Sequence, residues 1–123
     1  MAPRPTITFE QPCPIRDVLD RIGDQWSLLA LEALEAGPKR FNVLMRELGD
    51  ISKQMLSRTL RKLEQEGYVH RTVFAEVPPR VEYTLTAQGH SLLQPMKQLV
   101  AWADLHHADI VAARARYAAV EAD

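Results

Sequence analysis

Between Ser52 and Gly67 the chain reads SKQMLSRTLRKLEQEG, and its cationic, amide and hydroxyl side chains are spaced so that they could act together on an anion. A helix advances about 100° per residue. That turn gathers Lys53, Gln54, Ser57, Arg58 and Arg61 on one side and Met55, Leu56, Thr59, Leu60 and Leu63 on the other. Lysine, serine and arginine at Lys53, Ser57 and Arg61 suit phosphate oxygens, while Gln54 and Arg58 carry groups able to read adenine and guanine edges. Ser52 can accept hydrogen bonds from the unpaired amides of the first turn, and Gly67 offers a left-handed stop. Taken alone, the same stretch fits an amphipathic surface helix whose charges are merely solvated. The neighbouring elements decide between the two.

Cys13 is the second residue with distinctive chemistry. It stands just before Pro14 at the start of a helical pattern, where the positive end of the dipole and nearby Arg16 favour a reactive sulfur. A half-buried structural thiol is the other reading. As the single cysteine, it allows no intrachain disulfide. Oxidation would give an intersubunit disulfide, a mixed disulfide, or a sulfenic acid and its further products. Cys13 with His70, His90, His106 or His107 is the nearest approach to a nucleophile and base, but no spacing links them, so no catalytic residue is assigned. His106 and His107 with Asp104 and Asp109 lie on different sides of a helix, so no metal and no cofactor is expected.

The elements that must position these residues follow in order. Residues 1–12 carry three prolines and no period, as a flexible arm would. Ile15, Val18, Leu19 and Ile22 recur at helical spacing, with Pro14 suited to the first turn and Gly23 to the stop. A second helix is expected from Gln25 to Ala36, capped by Asp24 and apolar on more than one side through Trp26, Leu28, Leu29, Leu31 and Leu34, so that it is the most buried of the set. Phe41 closes a short extended piece, and Asn42 caps a helix from Val43 to Leu48. Gly49-Asp50 turns the chain into the Ser52–Gly67 helix, which makes a helix-turn-helix. Tyr68 to Phe74 and Val81 to Leu85 alternate as strands around the stiff tip AEVPPR. A helix-turn-helix followed directly by a hairpin is a winged helix, with Arg80 and Arg71 where a wing reaches DNA. From Thr86, the cap, the chain is helical, with Pro95 expected to kink or break it. Leu92, Met96 and Leu99 share one face, and Val100 and Trp102 widen it. With Ile15 and Leu19 they form the expected interface of a two-fold dimer. The fold class expected is mainly α with a small β hairpin, one winged helix-turn-helix domain over residues 13–123 with N- and C-terminal dimerisation helices, the latter at about 87–119.

Net charge is -1, but it is unevenly spread. Met1 to Gly37 holds three basic and six acidic residues, Pro38 to Arg80 nine and five, and the remainder three and five. The middle third can therefore meet a polyanion. No apolar run approaches the roughly 20 residues of a membrane span, and the first residues lack the apolar core of a signal peptide. With a lone cysteine this implies a reducing, cytoplasmic setting.

In this order the elements resemble the HxlR family, bacterial winged-helix transcription regulators related to the MarR group. The matching residues are Cys13-Pro14, Leu19 to Leu31 with Gly23 and Trp26, Gly37-Pro38, Arg40-Phe41, Leu44, Leu48, Ile51-Ser52, Met55-Leu56, Leu60, Leu63-Glu64, Gly67-Tyr68-Val69, Arg71, Glu76 to Tyr83, Leu85-Thr86 and Gly89. They cover roughly residues 13 to 102. Ala87 stands where the family often has proline, and the tail past Trp102 is longer than in many members. The resemblance implies a homodimer on double-stranded DNA, with Arg40, Ser52, Lys53, Gln54, Ser57, Arg58, Arg61, Arg71, Pro79 and Arg80 in the contact set. It also implies oxidant or electrophile sensing through a cysteine at the position of Cys13. Trp26, Trp102 and the methionines fit either plain core or a cavity for a small-molecule effector. The competing reading is a dimeric winged-helix module that binds a ligand or a protein and no operator.

Overall fold

Proline suits a first helical turn because its φ is already set and its missing amide would be unpaired there. The computed structural model describes residues 13–122 and opens α1, Pro14–Ile22, on that proline. Gly23 ends it, its amide donating to the Leu19 carbonyl. The arm expected over residues 1–12 lies outside the described residues. Helix α2, Gln25–Ala33, starts at Asp24, whose carboxylate accepts from the Ser27 amide at 2.9 Å and the Ser27 hydroxyl at 2.7 Å. Its continuation, Leu34–Ala36, is wound as a 3-10 turn instead of the α-helix expected through Ala36.

Helix α3, Phe41–Leu48, begins earlier than expected, and Arg40 instead of Asn42 takes the cap position. Arg40 is extended, at ψ 159°, and its carbonyl already accepts from the Leu44 amide at 3.1 Å. The backbone therefore starts this helix without a side-chain cap. Helix α4, Lys53–Gln65, has the expected cap, with the Ser52 hydroxyl accepting from the Met55 amide at 3.0 Å. At its other end Gly67 adopts φ 86°. The Tyr68 amide then reaches the Leu63 carbonyl at 2.9 Å and the Gly67 amide the Glu64 carbonyl at 3.1 Å. These two bonds satisfy carbonyls that the helix end leaves open.

Strands β1, Val69–Phe74, and β2, Arg80–Leu85, pair antiparallel from Val69 opposite Leu85 to Phe74 opposite Arg80. Lys39 pairs with Tyr83 through amide–carbonyl bonds of 3.0 and 2.8 Å, so the segment before α3 flanks β2 on its other side. Thr86 joins the hairpin to the last helix. Its hydroxyl donates to the Gly67 carbonyl at 2.7 Å and accepts from the Gly89 amide at 3.1 Å. Helix α5, Ala87–Ala122, is continuous through Pro95. Of the kink or break expected there, the break does not occur, because proline removes one donor while the helix bonds on both sides of it remain available.

The chain forms two compact units, one ending at Ser91 and the other running from Leu92 along α5. The first is built around Ile22, Leu31, Leu34, Leu44, Leu56, Leu60 and Leu63, all fully buried. Within it α4 packs against both α2 and β1. As expected, α2 is the most buried helix, with Ser27, Ala30 and Leu31 buried and Leu34 buried in its continuation, although Leu29 is 38% exposed; α4 buries Leu56, Thr59, Leu60 and Leu63 and leaves its other side open. In the second unit Leu99, Val100 and Trp102 are exposed, as are Ile15 and Leu19 on α1. Met96, expected with the exposed residues of α5, is buried at 8% exposure, and Leu92 is half-buried. Sequence spacing placed them together because it reports a shared helix face and not how much of that face one chain covers.

At Gly89 a Cβ would sit 2.3 Å from the Tyr68 carbonyl oxygen. Replacing it, Gly89→Ala, is expected to lower the unfolding free energy by about 1–3 kcal/mol, read from chemical denaturation. An unchanged midpoint contradicts the close packing of the hairpin start on α5.

Candidate nucleic-acid interface

Burial of Leu56, Leu60 and Leu63 turns the opposite side of α4 to solvent, and Lys53, Gln54, Ser57, Arg58 and Arg61 are all exposed. The hairpin supplies a second wall. Cross-strand partners share a face, and the register puts Arg71 opposite Tyr83 and Val73 opposite Val81. Together the two elements enclose an open groove of about 610 Å³ lined by all five α4 residues with Arg71, Val81, Tyr83 and Phe41. A smaller recess of about 320 Å³ beside it brings Glu64 close to Ser57, Arg61, Arg71 and Tyr83. Lys53, Arg58, Arg61 and Arg71 take no part in the ion pairs among the described residues. Four unneutralised cations thus converge on one groove with two aromatic walls.

Three other cations of the basic middle third are spent on structure. Lys39 pairs with Glu47. Lys62 reaches Asp24 at 2.7 Å, so the residue that caps α2 also holds α4. Arg80 lies between Glu76, at 3.4 Å, and Glu82, at 3.7 Å, with its guanidinium carbon 4.1 Å from the Phe74 ring centroid. It does not line the groove. Arg40 and Ser52 are exposed near the groove's elements without lining it, Ser52 being engaged as the cap, and Pro79 is exposed at the hairpin tip.

Cys13 is buried, at 2% exposure, and its carbonyl accepts the first bond of α1 from the Asp17 amide at 2.9 Å. Among the described residues no group of His, Cys, Asp and Glu could hold a metal ion. His106 instead stacks on Trp102, with ring centroids 4.5 Å apart, and its Nδ1 lies 3.0 Å from the Trp102 carbonyl.

With this geometry in view, the family model described as HxlR-like helix-turn-helix matches residues 21–110. The chain belongs to the HxlR-like helix-turn-helix family. It is 38% identical over 111 residues to the uncharacterised HTH-type transcriptional regulator YtfH of Escherichia coli (strain K12), covering 90% of this chain and 88% of that one. Among solved structures, ytfH from Salmonella typhimurium superposes with a TM-score of 0.76 at 38% identity over 86% of this chain and 95% of its own. The oxidised form of the redox regulator HypR superposes with a TM-score of 0.71 at 40% identity, over 75% and 95%. This HxlR-like protein is accordingly a transcriptional regulator of helix-turn-helix type and not an enzyme. No helix among its described residues is long and apolar enough to cross a membrane.

Phe41, Val81 and Tyr83 of the groove and Glu64 of the recess beside it are residues that sequence reasoning did not assign to the site. For Val81 and Tyr83 the signal was present, since alternation along VEYTL puts both on one face and the pairing register selects which. For Phe41 and Glu64 no local signal existed: their places depend on how α3 and β1 pack around α4.

The Asp24–Lys62 tie is testable through pH. Partial burial of the Asp24 carboxyl raises its pKa, but the hydrogen bonds from Lys62 and Ser27 outweigh that effect and bring it from 3.8 down to about 2. A lowered folded pKa contributes stability above the unfolded value and loses it as pH falls through the folded one. Asp24→Asn keeps a good helix cap and removes the ion pair. It is expected to cost about 0.5–1 kcal/mol at pH 7, after allowing for solvent screening of a half-exposed pair. That deficit should shrink as pH falls from 4 toward 2. A deficit independent of pH in denaturant titrations assigns the loss to the cap instead.

Proposed function

We propose that this HxlR-like regulator binds double-stranded DNA as a homodimer on an inverted-repeat operator. The observation that carries the reading is the single groove in which the five exposed α4 residues meet Arg71 of the hairpin. A helix with that polar face suits a major groove, and a cation on the adjoining wing suits the neighbouring backbone. Gln54 and Arg58 take the base-reading role, and Lys53, Ser57, Arg61 and Arg71 the phosphates. Each unit supplies apolar side chains for the partner copy, exposed Ile15 and Leu19 on α1 in the first and exposed Leu99, Val100 and Trp102 on α5 in the second, and a two-fold interface uses the same residues from both chains. The two α4 helices then enter successive major grooves about 34 Å apart. Cys13 is the redox-responsive residue of this reading, a role supported by the 40% identity to the redox regulator HypR. Its burial ties any change at sulfur to the packing of the α1 start.

Three measurements test this. Binding to a duplex enriched on the protein should weaken with salt, with a slope of log K against log salt of roughly -5 if Lys53, Arg61 and Arg71 each neutralise one phosphate in both protomers. Arg58→Ala should lose about 1–3 kcal/mol on that duplex and much less on random DNA; equal losses make Arg58 a phosphate contact. Treatment with a thiol oxidant should change operator affinity in the native protein and not in Cys13→Ser, and an equal response in both removes the sensor role.

A further inference from the structure

Residues of the hairpin alternate between two faces, and the register assigns its two arginines to different ones. Arg71 shares a face with Tyr83, and both line the groove with α4. Arg80 pairs directly with Phe74, so it belongs to the opposite face, with Glu82 two residues on along β2. On that face the guanidinium stacks over the Phe74 ring and lies between a carboxylate of the loop, Glu76, and one of the strand, Glu82. Its Nε is fully buried and has no hydrogen-bond partner. The side chain is only 29% exposed, close to the 24% of Glu82.

We propose that Arg80 is the positioning residue of the wing and not one of its DNA contacts. One planar side chain joins both strands and the intervening loop, Phe74 from β1, Glu82 from β2 and Glu76 from the turn. It thereby sets the shape of a tip that has only one backbone bond of its own among those described, from the Glu76 amide to the Phe74 carbonyl at 2.9 Å. Charge argues the same way. One arginine with two carboxylates leaves the cluster at a net -1 (+1 and -2). A cluster of that sign repels a phosphate backbone, and Arg80 could reach a phosphate only by abandoning both carboxylates and the ring. Arg71, exposed and outside the ion pairs among the described residues, meets no such obstacle. Lysine could not substitute for Arg80, because a compact ammonium neither stacks flat on a ring nor spans two carboxylates.

The part of this inference that concerns Arg71 rests on the DNA-binding reading; the part that concerns Arg80 does not, and the test separates them. In the free full-length protein, hydrogen exchange over Val69–Leu85 should speed up by about 5-fold or more in Arg80→Ala, in Arg80→Lys, and in the Glu76→Gln/Glu82→Gln double variant. On the enriched duplex, Arg71→Ala should reduce the salt slope by about 0.9 per protomer. Arg80→Ala should leave that slope unchanged while weakening binding by about 3- to 10-fold, the cost of ordering a loosened tip. Arg80→Lys should keep the native slope and show the fast exchange. Unchanged hairpin exchange in the Arg80 variants, or a salt slope reduced in Arg80→Ala as in Arg71→Ala, overturns the proposal. If the native protein binds no duplex at all, the DNA reading fails, and the exchange measurement alone still decides the role of Arg80.

Discussion

Burial of one side of α4 is the constraint on which the rest of this structure depends. Each fully buried leucine is worth about 1.5–3 kcal/mol, and Leu56, Leu60 and Leu63 are all buried. Exposed charge interactions are worth about 0–1 kcal/mol apiece. The leucines therefore decide the rotation of the helix, and Lys53, Arg58 and Arg61 are held side by side on its other face despite their like charge. That face is available to a polyanion because the core leaves it nowhere else to point. Ser52 and Gly67 set where the helix starts and stops, and thus which residues stand at its exposed N-terminal half.

A chain of net charge -1 presents a positive groove because its cations are sorted into two groups. Lys39, Lys62 and Arg80 each stand beside a carboxylate and tie elements together: α3 to its own approach, α4 to the start of α2, and the hairpin to its tip. Lys53, Arg58, Arg61 and Arg71 form no ion pair among the described residues, and all four line the groove. Counting charges along the chain detects the basic middle third but treats both groups alike. Separating them requires knowing which acids lie nearby in space, and Asp24 is far from Lys62 in sequence.

Element order was legible for definite reasons. Pro14 and Gly23 bracket α1, Asp24 and Ser52 cap α2 and α4, Gly67 ends α4, and alternation marks the two strands, all of them signals within a few residues of the feature they specify. The misplacements have equally definite causes. Asn42 is a good capping residue, but the helix began at Phe41 because the Arg40 backbone was already placed by the Lys39–Tyr83 bridge. Pro95 is a strong helix breaker by type, and α5 passes through it. Met96 shares a helix face with Leu99 yet differs from it in burial, 8% against 59%.

By itself the sequence determined the helices and strands, the two faces of α4 and the five polar residues on its outer side, because periodicity and capping act over one or two turns. Only the tertiary structure decided that Arg71 joins those five while Arg80 turns away with its two glutamates, and that Phe41 and Tyr83 form the groove's walls. The physical reason is that strand register and helix packing are set by contacts between residues far apart in the chain. A shift of one residue in that register would turn one strand's residues to the other face and put Arg71 and Arg80 on the same side of the hairpin.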